Sequence, residues 1–578
     1  MHNSVKLSSA LLGTVKLSAL SLALITAGVA AAAAPVTVRY DKAAQQLVAA
    51  QDGREIRIPA TDTQLEAHCL NTDAAGNQSV FLVAEEGLGA QWFIADAKGL
   101  LTQPLLVRRM ALPPAATQCA VDQGTLYVDE ENVGIWAYPA DAEAALERRP
   151  VLLQQPWGTL TALGAFTALN GQLLLHAPET ETLRIFAPAD SGPYREIGAL
   201  QVPELEGLDV EGLTVTGTRS DGMRLVQVDA DEGRFEIAIP WTPAPAANTA
   251  VDDVPVITVT PSVQTEPVAR LGDAADDPAI WVHPTLPSHS RVLGTDKQGG
   301  LQVYDLEGRR LQDLRVGRLN NVDVRDGVTW RGQRVAVAAA SNRDNESLHL
   351  FTIDAKGVVT EAGEVPTKQR DIYGLCMGRG ARGEVYVIAN QKDGQFVQYQ
   401  LRTSGRTLDA VPVRRFALSS QPEGCAVNDR TGDLFVGEEA TGVYRLPLDP
   451  KSSAAPQPVL KVGPHLKKDV EGMAIYHGTD GDLLVVSSQG NDRYVLLDAK
   501  APYRVRGIVQ VAAAPREGID GASETDGLDV TSANLGGEYA QGVLVVQDGR
   551  KRMPETPQNF KYVPWSRISE ALKNNLAK

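Results

Sequence analysis

Six polar residues stand at near-constant spacing ahead of short apolar segments in the second half of this 578-residue chain. They recur every 46 to 55 residues and are Asp277, Asp323, Tyr373, Glu423, Glu471 and Asp526. A second polar series ends the apolar segment that follows each of them, with the members Lys297, Arg343, Lys392, Glu439, Gln489 and Asp548. Carboxylates bind cations, and lysine and arginine bind anions. The two series together therefore indicate an anionic substrate bound with metal ions.

The elements that must position these residues are short strands in a repeat. A period near 50 residues with several strands per repeat is typical of the blade of a β-propeller. Six repeats predict an all-β, six-bladed β-propeller over residues 255–578. The innermost strand of a blade starts on the face where the next strand ends, so both series converge at one end of the central channel. We call this end the mouth.

The first half carries the same repeat in a weaker form. The segment TQCAVDQGTLYVDEENVGIWAY at 117–138 is similar to EGCAVNDRTGDLFVGEEATGVY at 423–444. About four or five blades fit, and their strand ends lack the basic residues of the second half. The sequence predicts an incomplete, degenerate β-propeller domain at residues 35–245, followed by a linker rich in proline and threonine. An incomplete ring leaves strand edges that docking can cover.

Charge and hydropathy limit the location and the partners of the protein. A net charge of −16 argues against nucleic acid as a partner. Residues 1–34 have the pattern of a cleaved signal peptide: a weakly basic start, the apolar stretch 17–29 and then an alanine run. The remaining sequence lacks a candidate membrane span. The sequence predicts a secreted or periplasmic protein that acts on a small molecule, without membrane partners and as a monomer.

Four cysteines in an exported chain suggest two disulfide bonds. Cys69 and Cys119 lie 50 residues apart, and Cys376 and Cys425 lie 49 apart, which is one blade period in each case. Equivalent positions on adjacent blades are neighbours in space. We predict the pairs Cys69 with Cys119 and Cys376 with Cys425; the alternative is four buried free thiols.

The acidic residues of the mouth suit a hard cation. Calcium takes six to eight oxygen ligands, and the oxygen donors are Asp276, Asp277, Glu423, Glu439, Asp469, Glu471, Asp520, Asp526 and Asp548. The set contains no cysteine or histidine, which argues against zinc or copper. Donors for a phosphate or carboxylate anion are Lys297, Arg343, Lys392 and Arg325. Phosphomonoester hydrolysis by a metal-activated water fits this combination.

These residues lie in segments that resemble the β-propeller phytases, the alkaline calcium-dependent 3-phytase family. The similar segments include GDAADDPAIWVHP from residue 272, TDKQGGLQVYDLEG from residue 295, QPEGCAVND, KKDVEGM and QNFKYVPW. They occur in order over about residues 255–575. The resemblance of the first half extends only to parts of the same propeller, so it implies no activity there.

The resemblance implies hydrolysis of phytate, bound as its calcium complex, to lower inositol phosphates and orthophosphate. Several calcium ions are implied. It assigns calcium-binding or catalytic roles to Asp277, Tyr373, Glu423, Glu439, Asp469, Glu471, Gln489 and Asp520. Lys297, Arg343 and Lys392 would hold phosphate, while Asp526 and Asp548 would have secondary calcium or channel-wall roles.

Two other functions remain open from the sequence. A six-bladed calcium-dependent lactonase or esterase would use one buried calcium. It would have little use for three basic residues at the strand ends. A non-catalytic propeller that binds a ligand would not require so many carboxylates. The two polar series favour the phytase interpretation over both.

Overall fold

The computed structural model describes residues 34–41, 44, 46–59, 63–189, 191–243, 254–404 and 407–576. Apart from Ala34, the predicted signal peptide lies outside the described residues, and so does most of the predicted linker. Nearly all of the described regular structure is β-strand, with one α-helix near the end. Within these ranges no helix combines the length and hydropathy needed to cross a membrane.

The first half forms five antiparallel sheets. Its strands are β1 Thr37–Asp41, β2 Gln46–Gln51, β3 Arg54–Ile58, β4 Leu65–Thr72, β5 Gln78–Ala84, β6 Leu88–Ala95, β7 Leu101–Ala111, β8 Cys119–Asp122, β9 Thr125–Glu130, β10 Gly134–Pro139, β11 Arg149–Leu153, β12 Phe166–Leu169, β13 Gln172–Ala177, β14 Thr182–Ala187, β15 Arg195–Gln201, β16 Val210–Thr218, β17 Arg224–Ala230 and β18 Gly233–Ile239. The sheets are β1–β3, β4–β7, β8–β11, β12–β15 and β16–β18. Inner strands β4, β8, β12 and β16 pack in series. The number of sheets agrees with the predicted four or five blades.

The second half forms six sheets. Its strands are β19 Val256–Val259, β20 Val263–Gln264, β21 Ala275–Trp281, β22 Arg291–Asp296, β23 Gly300–Tyr304, β24 Arg310–Leu314, β25 Leu319–Trp330, β26 Gln333–Asn342, β27 Ser347–Ile353, β28 Val359–Pro366, β29 Ile372–Arg379, β30 Val385–Gln391, β31 Gln395–Ser404, β32 Thr407–Ala417, β33 Pro422–Asn428, β34 Asp433–Glu438, β35 Gly442–Pro447, β36 Gln457–Lys461, β37 Val470–Gly478, β38 Gly481–Ser488, β39 Arg493–Asp498, β40 Val505–Val511, β41 Leu528–Thr531, β42 Val543–Asp548 and β43 Asn559–Pro564. Helix α1 spans Trp565–Leu576. Short 3-10 turns occur at Glu85–Gly87, Pro203–Leu205, Pro287–His289, Gln489–Asn491 and Gly537–Tyr539.

The six sheets of the second half close into a ring. Inner strands β21, β25, β29, β33, β37 and β41 pack in this order, and β41 packs against β21. Strand β20 pairs antiparallel with β43, and β19 runs parallel to β40, so the start of this half lies against sheets from its end. The predicted six-bladed β-propeller is confirmed, and we call this closed unit the large ring.

Apolar side chains between successive blades hold the large ring together. One such layer joins Val337 and Ala339 of one blade to Leu375 and Met377 of the next, all at most 2% exposed. These strands carry runs of apolar residues because a blade is covered on both faces. Truncation of a buried leucine such as Leu375 to alanine costs about 2 to 5 kcal/mol.

Inner-strand aspartates also join neighbouring blades. Asp277 Oδ2 accepts a hydrogen bond from Val322 N at 3.0 Å, and Asp323 Oδ2 accepts one from Met377 N at 2.7 Å. Asp529 Oδ2 does the same with a backbone N–H of β21 at 2.7 Å. Each carboxylate satisfies a backbone donor of the adjacent inner strand, which links the strands around the channel.

Both predicted disulfide bonds are present. Cys69 of β4 bonds Cys119 of β8, with a Cα–Cα distance of 6.1 Å. Cys376 of β29 bonds Cys425 of β33, with a Cα–Cα distance of 5.6 Å. Each bond joins the inner strands of two adjacent blades, which is the relation that the spacing of one period predicted.

Candidate active site

A β-bulge near the start of five of the six inner strands of the large ring turns one side chain toward the mouth. In β21 the pairing moves from Ala275 with Asp296 to Pro278 with Gly294, so two residues bulge out. The same irregularity occurs in β25, β29, β33 and β37. The first residues of these bulges are Asp276, Asn320, Tyr373, Glu423 and Glu471. Asp526 stands two residues before Leu528, as Glu471 stands two before Met473.

This register corrects two members of the first polar series. Asp276, not Asp277, is equivalent to Glu423, and Asn320, not Asp323, occupies the position in the second blade. Asp277 takes the second bulge position, where the next four blades have Asn321, Gly374, Gly424 and Gly472, and Gly527 takes the corresponding position in the last blade. At Gly527 a Cβ atom would lie 2.2 Å from Asp277 Oδ1, so this glycine permits the close approach. Asn320 was missed because it carries an amide rather than a carboxylate, and because Asn321 separates it from the apolar Val322.

Three glutamates meet at the mouth. Glu423, Glu439 and Glu471 each offer one carboxylate oxygen within 4.8 Å of the others. Asn320 Nδ2 donates to Glu423 Oε1 at 2.8 Å, whereas the buried Oε2 of Glu471 has no hydrogen-bond partner. Both carboxylate oxygens of Asp276, which is 1% exposed, also lack one. Buried carboxylate oxygens without donors, in a site built from oxygen ligands, suit a hard cation.

The carboxylates at the mouth destabilise one another when they are ionised together. Burial raises the pKa of Asp276 well above its usual range, opposed by Lys297 and reinforced by Glu423. Burial and then repulsion by Glu423 raise the pKa of Glu471 in the same way. Burial raises the pKa of Glu439 to about 7, with Glu423 and Asp469 adding to the effect. Bound cations would relieve this repulsion.

Basic side chains border the same carboxylates. Lys297 Nζ lies 2.7 Å from Asp526 Oδ2 and 2.6 Å from Asp273 Oδ1. Arg343 Nη1 donates to Asn320 Oδ1 at 3.1 Å. Lys392 Nζ lies 4.5 Å from the centre of the Tyr373 ring, and Arg343 Cζ lies 5.5 Å from it. The three basic side chains Lys297, Arg343 and Lys392 therefore border the mouth.

The remaining predicted residues of the mouth are also near. Gln489 Nε2 donates to Asp526 Oδ1 at 2.6 Å, and burial raises the pKa of Asp526 to about 7 against the attraction of Lys297. Asp469 is half-buried and lies close enough to Glu439 to raise its pKa. Asp273, the second partner of Lys297, was missed because no strand position marked it.

Arg325 does not reach the mouth, which corrects its predicted role in binding phosphate. It lies five residues beyond Asn320 on β25, or about 16 Å along a strand. Its guanidinium pairs with Asp323 at 2.8 Å and Asp429 at 2.9 Å. These residues line a cavity of about 340 Å³ in the channel, on the far side of the bulges. Arg325 therefore neutralises the aspartates that join the inner strands.

Asp520 and Asp548 also lie apart from the mouth. Leu528 pairs with Val546, so Asp548 takes the position of Asp296, and Gly549 takes that of Lys297. A shift of one residue turns a side chain to the other face of a strand. Asp548 Oδ2 lies 2.5 Å from Lys561 Nζ, and Asp520 Oδ1 lies 3.0 Å from the same atom. Together with Glu143 they form a second group of carboxylates, separate from the three glutamates.

The fold and the site define a class of protein. It is a closed six-bladed β-propeller in which one end of the channel combines a cluster of carboxylates with three basic side chains. The family described as phytase matches residues 237–577 of the chain. The 3-phytase of Bacillus subtilis (strain 168) is 36% identical over 327 residues, which are 54% of this chain and 85% of that protein. The chain belongs to the phytase family and is an enzyme.

Proposed function

We propose that the protein hydrolyses phytate to lower inositol phosphates and orthophosphate, and that it requires calcium. The observation that carries this proposal is that a cluster of carboxylates and a basic side chain lie side by side at the mouth. Oxygens of Glu423, Glu439 and Glu471 lie within 4.8 Å of one another, and Lys297 pairs with Asp526 beside them. Candidate cation sites beside positively charged side chains suit a substrate with several phosphates. The family membership supports phytate in particular.

The donor set decides which residues would hold calcium. Asp276 and Glu471 offer buried oxygens without hydrogen-bond partners, and the other oxygen donors at the mouth are Tyr373, Glu423, Glu439, Asp469, Gln489 and Asp526. Calcium prefers such oxygen ligands. When bound, it would neutralise phosphate charge and favour ionisation of the attacking water. Metal-binding roles for Asp277, Asp520 and Asp548 stay predictions, because these residues face the channel or the separate cluster.

The basic residues would orient the phosphate for attack. Asp276 and Asp526 raise the pKa of Lys297 above its usual value although burial acts to lower it, so the ammonium stays charged. Lys297, Arg343 and Lys392 can then donate hydrogen bonds to phosphate oxygens. The water oxygen forms a bond to phosphorus as the bond from phosphorus to the inositol oxygen breaks. The proton released by the water ends on the leaving alkoxide.

Substrate preference tests this proposal. Orthophosphate release from phytate is measured with calcium, beside a simple phosphomonoester and a lactone. We expect phytate to be preferred, and Lys392→Ala to raise the KM for phytate about tenfold or more, because a hydrogen bond to a charged group contributes about 1.5 to 3 kcal/mol. Glu517→Gln, which changes an exposed carboxylate, is the control. Turnover of the lactone without phosphate release from phytate would overturn the proposal.

The domain division and the location belong to the same proposal. We assign the incomplete propeller to residues 35–245 and the catalytic propeller to residues 255–578, with catalysis by one chain as a monomer. Two disulfide bonds agree with an oxidising compartment. We therefore infer that the protein acts outside the cytoplasm, after export directed by residues 1–34.

A further inference from the structure

Glu143 of the first half reaches into the large ring. It lies in the segment 139–148, which begins at the last residue of β10 and which we call the Glu143 loop, and it is 7% exposed. Its Oε1 accepts a hydrogen bond from Gly521 N at 2.9 Å, and its Oε2 accepts one from Ser523 Oγ at 3.4 Å. Its backbone oxygen accepts a third from Arg550 Nη1 at 3.0 Å. Glu143 thus contacts the segment before β41 in two places, and Arg550, which follows β42, in a third.

The contacted segment leads directly to the mouth. Residues 520–526, which we call the mouth loop, end at Asp526, whose two oxygens bind Lys297 at 2.7 Å and Gln489 at 2.6 Å. The end of the mouth loop is held within the large ring, because Asp526 N donates to Gln547 Oε1 at 2.9 Å. Glu143 binds its beginning, where Asp548 and Gly549 of the large ring also hydrogen-bond the backbone of Ser523 at 3.3 and 2.7 Å, three residues from Asp526.

A buried arginine holds the Glu143 loop itself. Arg108 is 0% exposed, and it donates to Pro139 O at 2.8 Å and to Ala144 O at 3.0 Å. Its Nε donates to Gln91 Oε1 at 2.8 Å, and Gln91 in turn donates to the backbone of the loop. A buried guanidinium carries a large desolvation cost unless it is fully hydrogen-bonded. Here its bonds fix the loop on either side of Glu143, at its first residue and at Ala144.

The rest of the interface shows what Glu143 adds. Ala142 packs in an apolar cluster with Phe93 and Val107 of the first half and with Ala513 and Met553 of the large ring. Apolar contacts of this kind suffice for docking, whereas a buried carboxylate is costly. Burial and then Asp520 and Asp548 raise the pKa of Glu143 well above its usual range. A costly buried group in an interface indicates a role beyond adhesion.

We propose that Glu143 is a positioning residue for the phosphate-hydrolysing site. It holds the beginning of the mouth loop from the first half of the chain, and through the loop it sets the position of Asp526 and of its partner Lys297. The kinetic part of this proposal rests on the proposed function. The structural part, that Glu143 orders the mouth loop, stands independently of the substrate.

Four variants of the full chain test the proposal. Glu143→Ala removes the acceptor, whereas Glu143→Gln keeps a carbonyl oxygen for Gly521 N–H. Glu147→Ala changes an exposed carboxylate of the same loop. Arg516→Gln breaks the ion pair with Asp96, which crosses the same interface without touching the mouth loop.

Two readouts distinguish positioning from stability. Hydrogen exchange of residues 519–527, measured without substrate, reports the order of the mouth loop. The KM for phytate at saturating calcium reports the placement of Lys297, because loss of folded protein lowers the apparent kcat and leaves KM unchanged. We expect Glu143→Ala to accelerate exchange there and to raise KM about tenfold or more, since small displacements of binding groups have effects of up to about a hundredfold. In Glu143→Gln, the exchange rate and the KM should be close to those of the wild type. The two controls, Glu147→Ala and Arg516→Gln, should match the wild type in both.

Unchanged exchange or unchanged KM in folded Glu143→Ala would contradict the proposal. So would an equal rise of KM in Arg516→Gln, because docking alone would then explain the effect. If Glu143→Ala does not fold, Glu143→Asp, which withdraws the carboxylate by one methylene group, must show both changes to a smaller extent. A wild type that does not hydrolyse phytate would contradict the proposed function, while the exchange of residues 519–527 would still decide the role of Glu143.

Discussion

Tyr373 connects the acidic and the basic groups of the mouth. Its hydroxyl group bonds Glu423, while its ring faces Lys392 at 4.5 Å and Arg343 at 5.5 Å. Burial, followed by the charges of Glu423 and Glu471, raises the pKa of Tyr373, so the phenol stays protonated. A phenol at this position can orient a carboxylate and hold two cations near a phosphate.

Removing the two contacts of Tyr373 separately should have different effects. Tyr373→Phe keeps the ring beneath the cations and loses the bond to Glu423, so we expect kcat to fall about tenfold with little change in KM. Tyr373→Ala also loses the ring and should raise KM, because Lys392 and Arg343 are no longer held. Steady-state kinetics with phytate checks both, and equal KM values for the two variants would contradict the role of the ring.

The raised pKa values at the mouth predict how stability depends on pH. Burial raises the pKa of Glu439 and of Asp526 to about 7 each, above the usual values near 4. Between these values the folded protein binds more protons than the unfolded chain, so the free energy of unfolding falls as pH rises. In a chelator, the melting temperature should fall from pH 5 to pH 8. Saturating calcium should abolish this fall, because it binds the ionised form, and a rise with pH in the chelator would contradict the assignment.

At the level of elements, the bulges decide which residues reach the mouth. The sequence was sufficient to predict the strands, their period and most strand-end residues, since these depend on local patterns. It could not place Asp276, Asn320 and Asp548, because a bulge or a shift of one residue leaves the spacing almost unchanged and reverses the direction of a side chain. The predicted role of Arg325 was wrong for a related reason, since the sequence does not show how far along β25 this residue lies from the mouth.

Gly527, the residue before β41, provides a test at this level. A Cβ atom at Gly527 would lie 2.2 Å from Asp277 Oδ1 and 2.4 Å from Asp277 Cα, so Gly527→Ala must displace Asp277 or the backbone at residue 527. We expect a loss of about 1 to 3 kcal/mol in the free energy of unfolding, and a lower kcat because Asp526 is the preceding residue. Gly198→Ala, where no atom lies within 4 Å of the new Cβ, is the control. Denaturant unfolding and phytate kinetics check the two parts, and a fully active, fully stable Gly527→Ala variant would contradict the close packing.

At the level of the whole molecule, the two halves share a repeat and differ in what they present. The large ring closes because β20 pairs with β43, which brings the five bulges and Asp526 to one mouth. The first half has five sheets, two of them with only three strands, and its Glu143 loop docks against the large ring. The weaker repeat in the first half predicted these sheets. No local pattern marked Glu143, because its partners lie about 380 residues away.

The central claim is that carboxylates at the mouth bind the calcium that phytate hydrolysis requires. Its most direct test is phosphate release from phytate by chelator-treated protein during a calcium titration, for the wild type, Glu471→Gln and the exposed control Glu517→Gln. The account predicts no release without calcium and saturable recovery in the wild type and the control. Glu471→Gln should need more calcium and should reach a kcat lower by about a hundredfold. Full activity of the wild type in the chelator, or wild-type calcium dependence and kcat in Glu471→Gln, would contradict the account.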